Sequence, residues 1–138
     1  MRRPRGAVNL VNLTLLLLVG GAAYAGWLFV PLWLDDLDVR EAVSAGFGQL
    51  PVETSDQRIR ELVLQRLQSV GTHWEERDGQ QVEVPGLGFT AQDIQVERDP
   101  QAGTGRVAID YTRSARLKPF DRFYPVHFLA ERSGVLRP

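Results

Sequence analysis

The chain offers few side chains that could act together as a catalytic or metal site. Its two histidines, His73 and His127, lie 54 positions apart, and cysteine is absent. This composition excludes thiol nucleophiles, disulfide frameworks and cysteine-ligated metal sites, and no run of His and carboxylates has a metal-site spacing. Gly86-Leu87-Gly88 is too short for a phosphate-binding loop. We therefore predict no catalytic residue, no metal and no cofactor.

One arrangement nevertheless resembles a nucleophilic triad. Asp110, Ser114 and His127 fall on two neighbouring predicted strands. Because side chains alternate along a strand, His127 lies opposite the apolar face that Val126 and Phe128 form. We interpret it as a solvated histidine rather than a catalytic one.

Charge is unevenly distributed along the chain. Residues 35–102 carry 6 basic and 14 acidic side chains, whereas residues 103–138 carry 7 basic and 3 acidic side chains. On or beside the last two predicted strands lie Arg106, Arg113, Arg116, Lys118, Arg122 and Arg132. These form a candidate interaction face for an acidic protein, anionic lipid headgroups or a glycan. The alternative is a solvated face whose arginines pair with the acidic helices.

A long uncharged segment near the N-terminus predicts one membrane-spanning helix over residues 8–34. No charge occurs from Gly6 to Leu34, and about 20 apolar residues suffice to cross a hydrocarbon core. Before it lie Arg2, Arg3 and Arg5, and after it Asp35, Asp36 and Asp38. The positive-inside rule then places a basic leader, 1–7, in the cytoplasm and a domain, 35–138, outside it. Nucleic acid is therefore not an expected partner.

Two other interpretations of this segment stay open. Ala23-Tyr24-Ala25 matches a signal-peptidase pattern, although the apolar run continues beyond it. A cut after Gly6 would instead give a pilin-like N-terminus. Type IV pilins usually have glutamate five residues after that cut, where this chain has Val11.

Small residues in the same segment could let a second helix approach. They are Gly21, Ala22, Ala25 and Gly26. The pairs Gly21/Ala25 and Ala22/Gly26 repeat at i, i+4, which favours self-association of membrane helices. Ordinary glycine and alanine usage explains them equally well.

Two helical regions follow the membrane segment. Val39, Val43 and Phe47 mark one apolar face of a helix that runs on from the membrane until Gly46, Gly48 and Pro51 end it. A second helix begins at a capping box of Thr54 and Gln57, and Asp56 and Arg60 form an i, i+4 ion pair within it. Its apolar stripe consists of Ile59, Leu62, Val63, Leu67 and Val70.

Strand patterns fill the rest of the chain. Three runs with alternating apolar residues, separated by short turns, predict adjacent antiparallel strands, and Gln81–Val84 is a candidate fourth. Tyr111 alternates with Val107 and Ile109, so we interpret it as a packing residue. The fold class is α+β: an N-terminal transmembrane helix extended into a second short helical region, and one amphipathic helix packed on a three- to four-stranded antiparallel sheet.

The order of these features resembles a known family. A basic leader ending in Gly, one membrane helix and a capped helix precede "DIQVERD…GRVAIDYTRSARL…FYPVHFLAE", and the likeness is clearest over Ala91–Arg132. In this order of features the chain resembles small single-pass inner-membrane proteins of Proteobacteria that carry a domain of unknown function. The resemblance implies a bacterial envelope location and a pilin-like N-terminus. It supplies no activity, so no catalytic residue is carried over.

These observations favour a non-catalytic, membrane-anchored envelope protein. Its domain would lie in the periplasm, and its expected partners are the lipid bilayer and another membrane or periplasmic protein. The alternative is a minor pilin-like or pseudopilin-like subunit of a filament or secretion system.

Overall fold

The computed structural model describes residues 9–118 and 120–137 and shows an α+β fold, which confirms the predicted class. These residues form two helices, α1 (Leu10–Gln49) and α2 (Asp56–Leu67), and five strands. The strands are β1 (Thr72–Arg77), β2 (Gln80–Pro85), β3 (Ile94–Asp99), β4 (Thr104–Leu117) and β5 (Arg122–Val135). The predicted leader, 1–7, and the cut after Gly6 lie outside the described residues.

Helix α1 is continuous and joins the predicted membrane helix to the predicted second helical region. Its 40 residues are about 60 Å long at 1.5 Å per residue. It runs through Pro31 and through Gly46 and Gly48, two of the residues expected to end it. Of the helices in the described residues, α1 alone is long and apolar enough to cross a membrane, and its most apolar stretch lies uncovered.

Helix α2 begins one residue later than predicted. Ser55, not Thr54, is the N-cap, and its hydroxyl oxygen accepts a hydrogen bond from the backbone N–H of Arg58 at 3.4 Å. The side chain of Gln57 donates to Glu61 at 3.0 Å instead of returning to the cap. Serine and threonine are both preferred N-cap residues, with serine somewhat the better, so residue type alone separates two adjacent candidates poorly.

The predicted ion pair between Asp56 and Arg60 does not form. Asp56 Oδ1 accepts a hydrogen bond from Nε of Arg98 at 2.7 Å. Nε of Arg60 donates to the carbonyl oxygen of Ile94 at 3.1 Å. An exposed pair within one helix contributes only a few tenths of a kcal/mol, so partners held in place by β3 replace it.

The strands form two antiparallel sheets. β3, β4 and β5 form the predicted three-stranded sheet with β4 in the centre, and β1 pairs with β2 in a separate hairpin. The prediction did not include β1, whereas β2 is the candidate strand Gln81–Val84 with one more residue at each end. Asp78 and Gly79 join the hairpin with φ angles of 52° and 75°, as a type I′ turn requires.

The core lies between both helices and one face of the three-stranded sheet. The second half of α1 packs on β4 and β5, and α2 packs on α1 and β3, so two helices rather than one cover this face. Its buried side chains include Val39, Val43, Leu50, Ile59, Val63, Leu67, Ile94, Val107 and Ile109. The close approach of the two helices depends on Gly46, where an added Cβ would lie 2.4 Å from Cγ2 of Val63.

The β4–β5 hairpin also reaches back along α1 towards its apolar part. Midway, the hydroxyl of Tyr111 donates to the carboxylate of Asp36, and at the hairpin turn the hydroxyl of Tyr24 donates to the carbonyl oxygen of Lys118. The domain therefore contacts α1 eleven residues before position 35, where the sequence predicts the domain to begin.

Candidate functional site

A groove of about 390 Å³ opens between α1, the β1–β2 hairpin and β4. One wall is α1 from Trp27 to Asp35, and the facing wall is β4 from Tyr111 onwards. Two tryptophans, a histidine and three cations line it: Trp27, Trp74, His73, Arg113, Arg116 and Lys118. The groove thus lies where α1 leaves its predicted membrane segment, and it collects half of the predicted basic residues.

Arg113 holds the walls of the groove together. Its Nη1 donates to Oδ2 of Asp35 on α1 at 2.6 Å, and its Nη2 donates to the carbonyl oxygen of Thr72 on β1 at 2.9 Å. The Arg113 side chain is only 12% exposed. The planar guanidinium can bind a carboxylate and a carbonyl at once, so Arg113 acts inside the domain as a positioning residue.

The mouth of the groove carries cations beside aromatic rings. The guanidinium of Arg116 lies 5.3 Å from the ring centroid of Trp74 and forms an ion pair with Asp121. Phe123 packs edge-on against Trp74, with ring centroids 5.7 Å apart. Lys118 is exposed, and none of the ion pairs within the described residues includes it.

A buried hydrogen bond beside the groove joins α1 to β4. The Tyr111 hydroxyl donates to Asp36 Oδ1 at 2.6 Å, and Nε of Arg40 donates to Asp36 Oδ2 at 2.6 Å. The Asp36 side chain is only 6% exposed, and these two donors compensate for the burial of its charge. Burial, and then the hydrogen bond to Asp36, raise the pKa of Tyr111 above its ordinary value. Tyr111 is thus both a packing residue, as predicted, and a polar link between elements.

We expect Tyr111→Phe to lower the free energy of unfolding of the domain by about 1.5–3 kcal/mol, because Asp36 loses one of two donors while the ring still packs. Thermal unfolding of the full chain in detergent micelles, followed by near-UV circular dichroism, measures this change. Tyr124→Phe is the matched control, since Tyr124 is 55% exposed and should change stability by no more than about 0.5 kcal/mol.

The raised pKa of Tyr111 gives this contact a pH signature. Above about pH 10, tyrosines of the unfolded chain lose their protons while the folded chain keeps the proton on Tyr111. The folded state then binds more protons than the unfolded state, so the free energy of unfolding falls as pH rises. Below about pH 10 the stabilisation from protonated Tyr111 is fully present. Tyr111→Phe should make this alkaline loss shallower, and an unchanged slope would contradict the buried hydrogen bond.

The two histidines have separate environments. Nδ1 of His73 lies 2.7 Å from the carbonyl oxygen of Gly86; because a carbonyl only accepts, Nδ1 carries the proton and fixes the base of the β1–β2 hairpin. His127 contacts Asp110, and both side chains are more than half exposed. No hydrogen bond among the described residues joins Ser114 to His127, whose cross-strand neighbour is Thr112. In those same residues, His, Asp and Glu side chains form no group of three that could hold a metal.

The strand register divides the predicted basic face. Opposite residues of an antiparallel pair share a side of the sheet. The core side of the sheet carries three of the six residues, each opposite a core-side position of the partner strand: Arg113, Arg122 and Arg132. The other side carries Arg106 and Arg116, and Lys118 lies in the turn. Arg106 is neutralised by Glu97 and Glu131, at 3.3 and 2.9 Å. The six residues thus form no continuous face, and Arg113 pairs with α1 as the alternative interpretation describes. Ligand binding by the others stays a prediction.

The predicted small-residue patch of α1 adjoins the hairpin turn. An atom added as Cβ at Gly21 or Gly26 would meet nothing within 4 Å. Gly21 and Ala25 precede Val39 and Val43 by 18 residues, about five helical turns, so they share the side of α1 that the domain covers further along. A second helix using this side would meet the hairpin near Tyr24. Self-association through Gly21, Ala22, Ala25 and Gly26 stays a prediction.

The prediction did not include the part of the site that β1 supplies. Trp74 and His73 lie on β1. Asp36 was predicted only as one of the acidic residues that follow the membrane segment, not as a buried partner of β4. The Asp78-Gly79 dipeptide is a hairpin signal that could have revealed β1.

Comparisons of this chain with protein-family models, with curated proteins and with solved structures found no match. The resemblance to small proteobacterial inner-membrane proteins therefore stays an expectation.

Proposed function

We propose that the chain is a non-catalytic, single-pass protein of the bacterial inner membrane that presents a small interaction domain on the periplasmic side. The observation that carries this proposal is the division of α1 into two parts. From Leu10 to Ala23 its side chains are exposed, whereas from Asp36 onwards it buries one face against the domain. Exposed apolar surface costs about 25 cal/mol per Å² in water, and a bilayer removes that cost.

The charge pattern supports the orientation. Three arginines precede the uncharged segment, and basic residues close to a span favour the cytoplasmic side. On the far side, Asp35 and Asp36 are engaged by Arg113 and Tyr111, so the acidic end belongs to the folded domain. The domain would then fold where the span emerges on the periplasmic side.

The groove is the surface that another envelope component would contact. It lies beside the exit of the span, and its rim combines the indole of Trp74 with the guanidinium of Arg116. A second membrane-anchored protein, held at the same height, would meet this rim first. We assign the groove an interaction role rather than a catalytic one, because two of its polar side chains, Arg113 and His73, already form hydrogen bonds within the domain.

Anchoring predicts resistance to extraction and sensitivity to charge at the centre of the span. Native membranes should retain the wild-type chain through an alkaline carbonate wash. The double variant Leu15→Arg, Leu18→Arg should be largely extracted, because each central arginine costs about 2.5–3.5 kcal/mol of insertion. Leu37→Arg is the matched control: Leu37 is exposed beyond the predicted span, and this variant should stay in the membrane. Release of the wild-type chain, or recovery of a soluble chain beginning at Gly26, would contradict the proposal.

A filament subunit is the second candidate function. The layout of α1 favours it, because a long helix with an uncovered first part and a packed second part can associate with copies of itself. Val11, where pilins usually have glutamate, argues against it. The intact mass of the chain from native membranes separates the two candidates. A chain beginning at Met1 supports the anchored interaction domain, and one beginning at Ala7 supports the filament subunit.

A further inference from the structure

We infer that the turn of the β4–β5 hairpin lies in the headgroup layer of the bilayer that α1 spans, with its rings at the acyl boundary and its cations on phospholipid phosphates. We call Lys118 and residues 120–124 the hairpin tip. The inference rests on the proposed function, because it requires that α1 crosses the membrane. It adds a second, interfacial contact with the same bilayer.

The hairpin tip contacts α1 near the outer end of the proposed span. The Tyr24 hydroxyl donates to the carbonyl oxygen of Lys118, and the rings of Phe29 and Tyr124 meet edge-on with centroids 6.3 Å apart. A span of about 20 residues counted from Leu10 ends at Phe29, so Tyr24 lies about 7.5 Å inside that boundary. The uncharged segment continues to Leu34, so its last residues extend beyond this boundary, and the tip contacts α1 within about 7.5 Å of it.

The tip exposes apolar surface. Phe120 is 75% exposed, Tyr124 is 55% exposed and Phe123 is 40% exposed. Trp27 and Trp33 expose their indoles on α1 at nearby heights. Aromatic side chains favour the membrane interface, where a ring can enter the acyl boundary while polar groups stay hydrated. An aromatic turn beside an aromatic stretch of helix matches such a layer.

The tip also carries positive charge. Within the described residues, Lys118 and Arg122 form no ion pair, whereas Asp121 is already neutralised by Arg116. The tip therefore has an excess of positive charge directly beside its exposed rings. Anionic phospholipid headgroups attract such cations at short range. Charge and apolar surface thus point to the same occupant, the lipid interface.

Depth-dependent quenching tests the inference directly. The chain lacks cysteine, so Phe120→Cys and Ala102→Cys can each carry a single environment-sensitive fluorophore. Ala102 is the matched control, because it lies in the exposed turn at the opposite end of β4. The labelled full-length chains are reconstituted in vesicles of phosphatidylcholine and phosphatidylglycerol that contain a spin-labelled lipid. We expect several-fold stronger quenching at position 120 than at position 102. Asp121→Cys, which keeps all three rings, should behave like Phe120→Cys.

The outcomes separate the inference from the function on which it rests. Equal quenching at positions 102, 120 and 121, in chains that float with vesicles after a carbonate wash, would overturn the tip contact and leave the anchor intact. Chains that do not float would overturn both. Equal, weak quenching is also what a tip reserved for a protein partner would show, because these vesicles contain no other protein.

A charge-reversal variant tests the phosphate contact. In vesicles with phosphatidylglycerol, Lys118→Glu with Arg122→Glu should lower the quenching at position 120 towards the value at position 102. Arg66→Glu, an exposed position on α2, is the control and should leave the quenching unchanged. If the double variant is quenched as strongly as the parent, headgroup recognition by these cations is wrong.

Discussion

Gly46→Ala should destabilise the domain by about 1–3 kcal/mol, although alanine is the better helix former. A Cβ at position 46 would lie 2.4 Å from Cγ2 of Val63 and 3.6 Å from Cγ2 of Ile59. All three residues are buried in a core that has little free space. To make room, α2 must move away from α1 or the Val63 side chain must leave its packed rotamer, and either change reduces the packing between the helices. Equilibrium unfolding of the full chain in detergent measures the loss.

Gly48→Ala provides the matched control for this prediction. Gly48 lies two residues further along the same helix and is exposed. A Cβ added at Gly48 would meet nothing within 4 Å. Removing a glycine from a helix at such a position should raise stability by about 0.5–1 kcal/mol. The two substitutions are chemically identical, so opposite signs would isolate the contact with α2. Two stabilising effects would contradict the packing at Gly46.

A double variant identifies the partner atom. Val63→Ala alone should destabilise the domain, because it leaves a cavity beside Gly46. In the background of Val63→Ala, the substitution Gly46→Ala should cost less than it does in the wild-type chain, since the added methyl group enters that cavity. Strictly additive costs would place the clash elsewhere.

Local patterns predicted the elements of the domain more reliably than their ends. The spacing of Val39 and Val43 predicted the buried face of α1 beyond the predicted membrane segment, and alternation predicted β3, β4 and β5. The poor helix propensity of glycine predicts a helix end near Gly46. In the folded chain its missing side chain is what lets α2 approach, so tertiary packing outweighs propensity there.

The candidate site depends on contacts between distant parts of the chain. Asp36 and Tyr111 are 75 positions apart, and Tyr24 and Lys118 are 94 positions apart. Composition showed that the C-terminal part is basic, but only the register shows that Arg113 turns towards α1. A pattern with a period of two or 3.6 residues carries no information on which helix a strand will meet. The groove could therefore not be predicted.

Arg98→Ala is expected to lower the free energy of unfolding by about 2–4 kcal/mol, because one side chain serves three acceptors. Nη1 donates to the carbonyl oxygen of Leu50 and Nη2 to that of Glu53, at 2.7 and 2.6 Å, while Nε binds Asp56. The last carbonyls of a helix have no partner within the helix, and Leu50 is the C-cap of α1. Arg98 thus joins the end of α1, the start of α2 and β3.

The same substitution to lysine separates geometry from charge. An ammonium group keeps the positive charge but cannot direct donors at three fixed acceptors, so Arg98→Lys should recover less than half of the loss. Arg106→Ala is the control on the neighbouring strand, because its ion pairs with Glu97 and Glu131 are exposed and should contribute no more than about 1 kcal/mol. Thermal unfolding of the three variants in detergent ranks their losses of stability relative to the wild-type chain. If Arg98→Lys matched the wild-type chain, a simple charge interaction with Asp56 would explain the connection, and the two carbonyl contacts would contribute little to holding α1 against the domain.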